Sequence, residues 1–249
     1  MPEHPTIVYC LGLLAAYLLG SIPFGLLIAL AKGVDIRQHG SKNIGSANVG
    51  RTIGRKFGVL TFFLDAAKGF VPVLVAGLWL GLINRPDLPP HDSLLWLAFG
   101  LAAFLGHLYP VWLWFRGGKG VATGFGALLA VFPILSIAAL AAILVWMISV
   151  KVTRYVGLSS CIAALSLPLF TLLATPIARA AGIFAPRSAW APWETIWPYM
   201  AIALLLALFV VWRHRSNLGR MLAGTEPRVG QKKPGGASAP SGGVTAEGR

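Results

Sequence analysis

Long apolar stretches separated by short polar segments run through most of the chain. Each stretch approaches or exceeds the ~20 residues that a helix needs to cross the hydrocarbon core of a bilayer. None shows the alternation of an outer-membrane barrel strand. The pattern therefore predicts membrane-spanning helices, because a helix satisfies its own backbone hydrogen bonds in lipid. The six stretches are residues 7–31, 57–83, 94–115, 119–150, 155–175 and 196–212.

The fourth stretch, 119–150, does not fit a single crossing well. As one helix it would extend about 48 Å at ~1.5 Å per residue, well beyond a ~30 Å core. Pro133 lies near its middle, where a helix would lose a hydrogen bond and kink or break. The length of this stretch alone does not decide between one membrane crossing and two.

The basic residues favour two crossings, because Lys and Arg accumulate in cytoplasmic loops. Six lie in residues 32–56 and seven follow residue 212. With a short helix to about residue 131 and a fuller one from 133, 17 of the 21 basic residues face the cytoplasm. We therefore predict an all-α integral membrane protein, a seven-helix transmembrane bundle with a short fourth helix. Its N-terminus would lie outside and its C-terminus in the cytoplasm.

Residues 1–229 are predicted to form a single transmembrane domain. The first stretch has no basic segment before it, so it is predicted to be a span and not a cleaved signal. Residues 230–249 are rich in Gly, Pro, Ser and Ala, a composition that buries little apolar surface. This tail is predicted to be disordered and cytoplasmic.

Composition supports a membrane protein and excludes other classes. Of the 249 residues, 56% are hydrophobic and 12% are charged, about half the usual charged fraction. The net charge of +13 comes from basic residues that punctuate apolar stretches, which argues against nucleic acid. The eight acidic residues are scattered, and the two cysteines, Cys10 and Cys161, lie in apolar stretches. No metal and no cofactor are therefore expected.

The predicted topology brings three polar motifs to the cytoplasmic side. In the second motif, residues 117–120, glycines allow successive N–H groups to converge, and Lys119 adds a positive charge. This arrangement suits a phosphate, although a plain helix–helix turn with snorkelling basic residues would have the same pattern. It is not a Walker A loop, because the G-x-x-x-x-G-K-[ST] spacing is absent.

The first and third motifs add hydrogen-bonding groups and a titratable one. In residues 40–52, Ser41, Asn43 and Asn48 offer neutral hydrogen bonds, and Arg51 offers a bidentate fork for phosphate or carboxylate. An ordinary polar loop remains the alternative. In residues 213–220, His214 and Asn217 would share a helix face if the last span continues inward, surrounded by arginines that a simple membrane anchor would also carry. Together the three motifs predict an anion site at the membrane surface.

Three ionisable residues fall inside predicted spans, where charge is costly and usually paired or functional. Asp65 and Lys68 are three residues apart on the second span. They would form either a self-neutralising ion pair or part of a site. His107 could equally be a packed histidine that donates to a carbonyl group.

These motifs resemble those of the bacterial acyl-phosphate-dependent glycerol-3-phosphate acyltransferase family. The resemblance runs from about residue 17 to 228 and includes 20–25, 40–51, 106–123 and 213–226. The chain departs from the family pattern at Ser46-Ala47, so no role is carried to position 47. It departs again at 157–160, where only Ser160 is retained as a polar contact.

The resemblance implies transfer of a fatty acyl group from acyl phosphate to the 1-hydroxyl of sn-glycerol 3-phosphate. The products would be lysophosphatidic acid and phosphate, made at the bacterial inner membrane without coenzyme A, metal or cofactor. The family's fold is described as a seven-helix bundle. The implied catalytic residues are Ser41, Asn43, His214 and Asn217. The implied substrate-binding residues are Asn48, Arg51, Lys68, His107, Gly117, Gly118, Lys119, Gly120 and Ser160.

Several points stay open at this stage. Either His214 or a substrate phosphate could accept the hydroxyl proton. The sequence does not assign the basic residues of the motifs to one or the other of the two substrate phosphates. A phosphate or organic-anion transporter is the main alternative, although no inverted repeat is visible and the polar motifs lie on one side. A phosphatidyl-type transferase would need an acidic metal motif. An ordinary acyl-CoA acyltransferase would need an Asp five residues after a His, and both signatures are missing.

Overall fold

The structure is a computed structural model that describes residues 6–85, 88–182 and 192–231. Within these ranges every regular element is helical, as predicted. A 3-10 turn at Val111–Leu113 follows the fifth helix. The α-helices are α1 Thr6–Ser21, α2 Phe24–Leu30, α3 Ser46–Thr52, α4 Arg55–Trp79, α5 Pro90–Leu108, α6 Val121–Leu129, α7 Ile134–Thr153, α8 Val156–Ala180, α9 Pro192–Arg213 and α10 Arg215–Leu222.

Six helical segments of the described chain are long and apolar enough to cross a membrane. This confirms an all-helical membrane protein, whereas the number of crossings and the sides on which the ends lie stay predictions. The predicted tail, 230–249, lies outside the described residues except for 230 and 231. The six segments are Thr6–Leu30, Arg55–Trp79, Pro90–Leu113, Ile134–Thr153, Val156–Ala178 and Trp193–Arg213.

The apolar stretch 119–150 breaks where the proline predicted it would. α6 ends at Leu129, and α7 begins after Pro133. The nine residues of α6 extend only about 14 Å. α6 is therefore too short to cross a bilayer core as a straight helix, and it is not among the six long segments.

The first apolar stretch also breaks at a proline. α1 ends at Ser21 and α2 starts after Pro23, because proline has no N–H to continue the helical ladder. The Ile22 carbonyl at this break accepts a hydrogen bond from Lys68 Nζ at 2.7 Å. The break therefore provides a partner for a buried cation on another helix.

Two glycines at one helix crossing let the helices approach until their backbones touch. Where α4 crosses α6, a Cβ on Gly69 would lie 2.1 Å from the Thr123 carbonyl oxygen, and one on Gly126 would lie 1.9 Å from that of Ala66. A side chain at either glycine would force the helices apart, as in small-residue packing between membrane helices generally. The tight α4–α6 contact holds the start of α6, and with it the second motif, against the bundle.

Candidate active site

The predicted motif residues converge on one cavity of about 160 Å³. Most of its polar residues come from the three motifs, and Asp65, His107 and Ser160 join them from α4, α5 and α8. The rest of its wall is apolar and lies between α4, α5, α6, α7, α8 and α9. The predicted residues that line it are Ser41, Asn43, Asn48, Arg51, His107, Lys119, Gly120, Ser160, His214 and Asn217. Lys68, Gly117 and Gly118 do not line it.

The first motif folds around the side chain of Asn48, which is 1% exposed. Its Nδ2 donates to the carbonyl oxygens of Ile36, His39 and Asn43 at 3.2, 3.0 and 2.9 Å. Its Oδ1 accepts the backbone N–H of Ser41 at 2.8 Å. Asn48 thus uses its hydrogen-bonding capacity to shape the loop, which suits a positioning role better than direct contact with substrate.

The loop shaped in this way presents Ser41, Asn43 and Arg51 to the cavity. Asn43 Oδ1 accepts the N–H of Gly45 at 2.9 Å, which fixes the side-chain amide. Arg51 lies on α3, one turn after Asn48. Burial lowers the pKa of the Arg51 guanidinium from its ordinary value, and Glu226 opposes that shift. Arg51 thus supplies a partly desolvated cation beside two neutral polar side chains.

The glycine loop is held from two sides. The N–H groups of Gly117 and Gly118 donate to the carbonyl oxygens of Leu108 and His107 at 3.2 and 3.1 Å. The Arg213 guanidinium donates to the Gly117 and Gly118 carbonyl oxygens at 3.2 and 2.6 Å. These two amides are therefore committed to α5, and of the four loop residues only Lys119 and Gly120 line the cavity.

The buried ionisable residues of α4 and α5 lie directly beneath this loop. Lys68 Nζ is 2.7 Å from Asp65 Oδ1, and both side chains are nearly inaccessible, at 1% and 3% exposure. His107 Nδ1 lies 3.7 Å from the same carboxylate oxygen. A Cβ on Gly118 would be 2.1 Å from His107 Nε2, so the ring packs where only glycine fits. His107 therefore supports the loop, whereas Lys68 contacts Asp65 and the Ile22 carbonyl oxygen.

The third motif places a neutral imidazole at the cavity. His214 is 4% exposed, and its Nδ1 lies 2.8 Å from the Val210 carbonyl oxygen. A carbonyl oxygen only accepts, so Nδ1 carries the proton and Nε2 keeps its lone pair. Burial, together with Lys119 and Arg213, lowers the pKa of His214 to about 4. The ring is therefore neutral at physiological pH.

Asn217 joins the second motif to a carboxylate. Its Oδ1 accepts a hydrogen bond from Lys119 Nζ, and its Nδ2 donates to Glu226 Oε1 at 2.6 Å. Glu226 Oε2 accepts from Arg220 Nε at 2.8 Å. Burial lowers the pKa of Lys119 to about 8. Glu226 opposes this shift, and Arg220 adds to it. The cavity thus contains a lysine whose charge depends on this short chain of contacts.

Glu226 is the site residue that the sequence reasoning missed. It is 5% exposed and follows a strongly basic segment, where an isolated acidic residue is unusual. That contrast is the signal that could have indicated a buried partner. Arg215, one of the arginines of the third motif, does not line the cavity. Its guanidinium is exposed, donates to the Trp212 carbonyl oxygen at 3.0 Å and lies over the Trp212 ring.

Ser160 lies on the α8 wall of the cavity. Its hydroxyl donates to the Val156 carbonyl oxygen at 2.9 Å and accepts from Trp146 Nε1 at 3.2 Å. This bond links α8 to α7 where the wall becomes apolar. Across residues 6–85, 88–182 and 192–231, no three His, Cys, Asp or Glu side chains gather closely enough to hold a metal ion.

These features define a class of protein: an integral membrane protein with an apolar cavity headed by cations and polar side chains. Comparison with known proteins identifies the family. The glycerol-3-phosphate acyltransferase family matches residues 10–224. The chain belongs to this family.

Individual relatives agree with the family assignment. A glycerol-3-phosphate acyltransferase of Desulforamulus reducens is 41% identical over 222 residues, which cover 89% of this chain and 95% of that protein. Two crystal structures of PlsY (YgiH), an integral membrane glycerol 3-phosphate acyltransferase, are also similar. The glycerol 3-phosphate form is 39% identical with a TM-score of 0.71, covering 90% of this chain and 96% of that one. The lysophosphatidic acid form is 38% identical with a TM-score of 0.69, covering 89% and 95%.

Proposed function

We propose that this protein transfers a fatty acyl group from acyl phosphate to the 1-hydroxyl of sn-glycerol 3-phosphate. The products are lysophosphatidic acid and inorganic phosphate, which makes this the first step of phospholipid synthesis. The observation that carries the proposal is the cavity itself, where Arg51, Lys119 and His214 stand at the head of an apolar space. The apolar lining suits a fatty acyl chain, and the basic groups suit phosphate. The similar PlsY structures, named for glycerol 3-phosphate and lysophosphatidic acid, support this substrate and product.

The reaction needs positioning more than covalent catalysis. Acyl phosphate is a mixed anhydride with a good leaving group, so no protein nucleophile is required. The substrate hydroxyl oxygen bonds to the acyl carbon, the carbon–oxygen bond to phosphate breaks, and phosphate leaves with the electron pair. Arg51, Lys119 and the remaining loop amides would offset the repulsion between two anions. Ser41, Asn43 and Asn217 would orient the carbonyl and the hydroxyl.

The hydroxyl proton has two possible acceptors. His214 Nε2 holds a lone pair, but a pKa of about 4 makes it a weak base until bound phosphates raise that pKa. The leaving phosphate is the second candidate. The pH–rate profile of His214→Gln separates them. An unchanged acid limb with a modest loss of rate would assign the proton to phosphate.

We also propose that the site faces the cytoplasm of a bacterial cell, at the inner membrane. α6 starts beside Lys119 in the cavity, and α8, which follows α7, begins with Val156 and Gly157 in the same cavity. The chain between them therefore leaves the site end of the bundle and returns to it. With the N-terminus outside, this path supports seven segments and a cytoplasmic C-terminus. A reporter fused at Pro133 that reads out as cytoplasmic would contradict this topology.

The deciding experiment uses the purified protein with palmitoyl phosphate and glycerol 3-phosphate. Phosphate release that depends on glycerol 3-phosphate, together with lysophosphatidic acid detected by mass spectrometry, is expected. Omitting the acceptor controls for hydrolysis, and Lys119→Met controls for contaminating activity. Release of coenzyme A from palmitoyl-CoA, without phosphate release from palmitoyl phosphate, would overturn the donor assignment.

A further inference from the structure

The last described residues fold back over the site. After α10 the chain turns at Gly224, whose φ of +70° favours glycine, and the N–H groups of Thr225 and Glu226 donate to the Arg220 carbonyl oxygen at 2.8 and 3.1 Å. We call residues 223–231 the C-terminal strap. The turn at Gly224 reverses the chain and directs the strap toward the junction between α7 and α8.

The strap is fastened at that junction. The Val229 N–H donates to the Arg154 carbonyl oxygen at 2.8 Å, and the Arg154 guanidinium donates to the Val229 carbonyl oxygen at 3.1 and 2.9 Å. Arg228 Nε donates to the Tyr155 hydroxyl at 2.9 Å, and its guanidinium lies 5.2 Å from the centre of the Tyr155 ring. We call these four residues the clasp.

Between its turn and the clasp, the strap carries Glu226, whose carboxylate contacts Asn217. Glu226 Oε1 accepts from Asn217 Nδ2, so the opposite end of that amide, Oδ1, faces Lys119 Nζ. An amide held at Nδ2 by a carboxylate cannot turn its NH2 group toward the lysine without losing a charged acceptor. The position of Glu226 therefore sets both the orientation of Asn217 and the acceptor offered to Lys119.

We propose that the clasp residues Arg154, Tyr155 and Arg228 are positioning residues for the reaction, acting through the strap, Glu226 and Asn217 on Lys119. This inference rests on the proposed function, in which Lys119 binds phosphate. Breaking the clasp lets the strap loosen, removes Glu226 from Asn217 and leaves Lys119 without an oriented acceptor.

The clasp contributes little to the stability of the fold. Arg154 and Arg228 are exposed, and exposed hydrogen bonds and ion pairs contribute little to stability. The main apolar core lies elsewhere, around residues such as Trp96, Phe104 and Leu135. Clasp variants should therefore fold, so an effect on Lys119 can be measured without unfolding the bundle.

The charge of Lys119 gives a readout specific to this role. Burial lowers its pKa to about 8, the nearby Arg220 and Arg51 act in the same direction, and Glu226 opposes them. Withdrawal of Glu226 removes the main opposing group. The pKa of Lys119 should then fall below its value in the intact protein.

The test compares the wild-type protein with Arg154→Gln/Tyr155→Phe/Arg228→Gln, and with Lys151→Gln as a control for loss of a nearby charge. Lys151→Gln removes one exposed positive charge from the last turn of α7, a few residues before the clasp. Lys119 is labelled with acetic anhydride across pH 6 to 10 and quantified by mass spectrometry. The midpoint should lie near pH 8 in the wild-type protein and in the control. It should be roughly 0.5 to 1 pH unit lower in the clasp variant.

Kinetics provide the second measurement. The clasp variant should show a KM for the phosphate substrate bound by Lys119 that is about three- to tenfold higher, the scale of one weakened hydrogen bond. The alkaline limb of its kcat/KM profile should move to lower pH. An unchanged labelling midpoint with normal acyl transfer overturns the clasp and leaves the function standing. If the clasp variant has a lowered labelling midpoint but the wild-type protein shows no glycerol-3-phosphate-dependent acyl transfer, the clasp is supported and the proposed function is overturned.

Discussion

Two groups of buried charges lie close together in this bundle and are built in opposite ways. The inner group, on α4 and α5, consists of Asp65, Lys68 and His107. Its lysine and carboxylate are 2.7 Å apart, and Lys68 has a second partner in the Ile22 carbonyl oxygen. One positive and one negative charge are therefore enclosed together, and the lysine does not reach the cavity.

The outer group, at the head of the cavity, consists of Arg51, Lys119, Arg220 and Glu226. Three cations share one carboxylate, and both Arg51 and Lys119 line the cavity. Burial lowers the pKa of both, and within the described part of the chain neither lies within ion-pair distance of a carboxylate. Their missing counter-charge is the property that distinguishes a binding site from a structural pair.

Burial alone does not mark a functional charge. Lys68 is less exposed than Lys119, yet its charge is neutralised by its neighbours. A phosphate entering the cavity would complete the outer group, whereas the inner group has no charge left to offer. Removal of a charge should therefore affect stability in the inner group and activity in the outer one.

The largest effect is expected from Asp65→Asn, which leaves Lys68 as an uncompensated buried cation. Breaking a buried pair from one side typically costs about 3–5 kcal/mol. The thermal unfolding midpoint in detergent should fall markedly, and Asp65→Asn/Lys68→Met should recover much of the loss. The exposed pair formed by Asp35 and Arg37 provides the control, because Asp35→Asn should hardly change the midpoint. A double variant as unstable as the single one would show that the pair does more than neutralise itself.

The next effect is expected from Lys119→Met. Removal of a preorganised positive group typically lowers the rate about 10²- to 10³-fold, and kcat/KM for acyl transfer should fall on that scale. The unfolding midpoint should stay the same or rise, since a repelling cation has been removed from the outer group. Lys68→Met should do the reverse, with a lower midpoint. If both lysine variants lose stability equally, the distinction between the two groups is wrong.

A third effect concerns pH and stability at His214. Its folded-state pKa of about 4 is lower than the ordinary value of 6.5, so the unfolded chain binds the proton more tightly. Stability is therefore complete above pH 6.5 and is lost as pH falls toward 4. Between pH 7 and 5 the loss should be about 2 kcal/mol. Thermal unfolding of the wild-type protein and of His214→Asn over this range measures it, and equal pH dependence in both would contradict the assignment.

The sequence was sufficient to predict the helices and the convergence of the three polar motifs. The interruption at Pro133 followed from a missing N–H and from excess length, both visible in the sequence, and the structure confirms it. The convergence of Lys119 and His214 followed from the distribution of basic residues. What these patterns cannot contain is the backbone acceptor of each side chain, because any carbonyl can serve. The partners of Asn48 and Arg213 could therefore be found only in the structure.

Glu226 illustrates a second limit. A carboxylate at the end of a basic segment has several cations within reach along the chain, and sequence separation does not show which one it meets. The turn at Gly224 decides the matter, because it returns the chain to the Arg220 carbonyl oxygen and places the carboxylate on Asn217. Its role depends on three-dimensional closure of the strap, which no spacing rule predicts.

The smallest effect is expected from Ser160→Ala, which tests where the outer group ends. The hydroxyl lies on the cavity wall but is already engaged by Val156 and Trp146. Loss of the acceptor for the Trp146 indole should cost about 1 kcal/mol of stability. The KM values should change less than threefold, because the hydroxyl carries no charge that a phosphate requires. A KM for glycerol 3-phosphate that rises tenfold or more, with Ser159→Ala as the control, would show that the binding site extends onto α8.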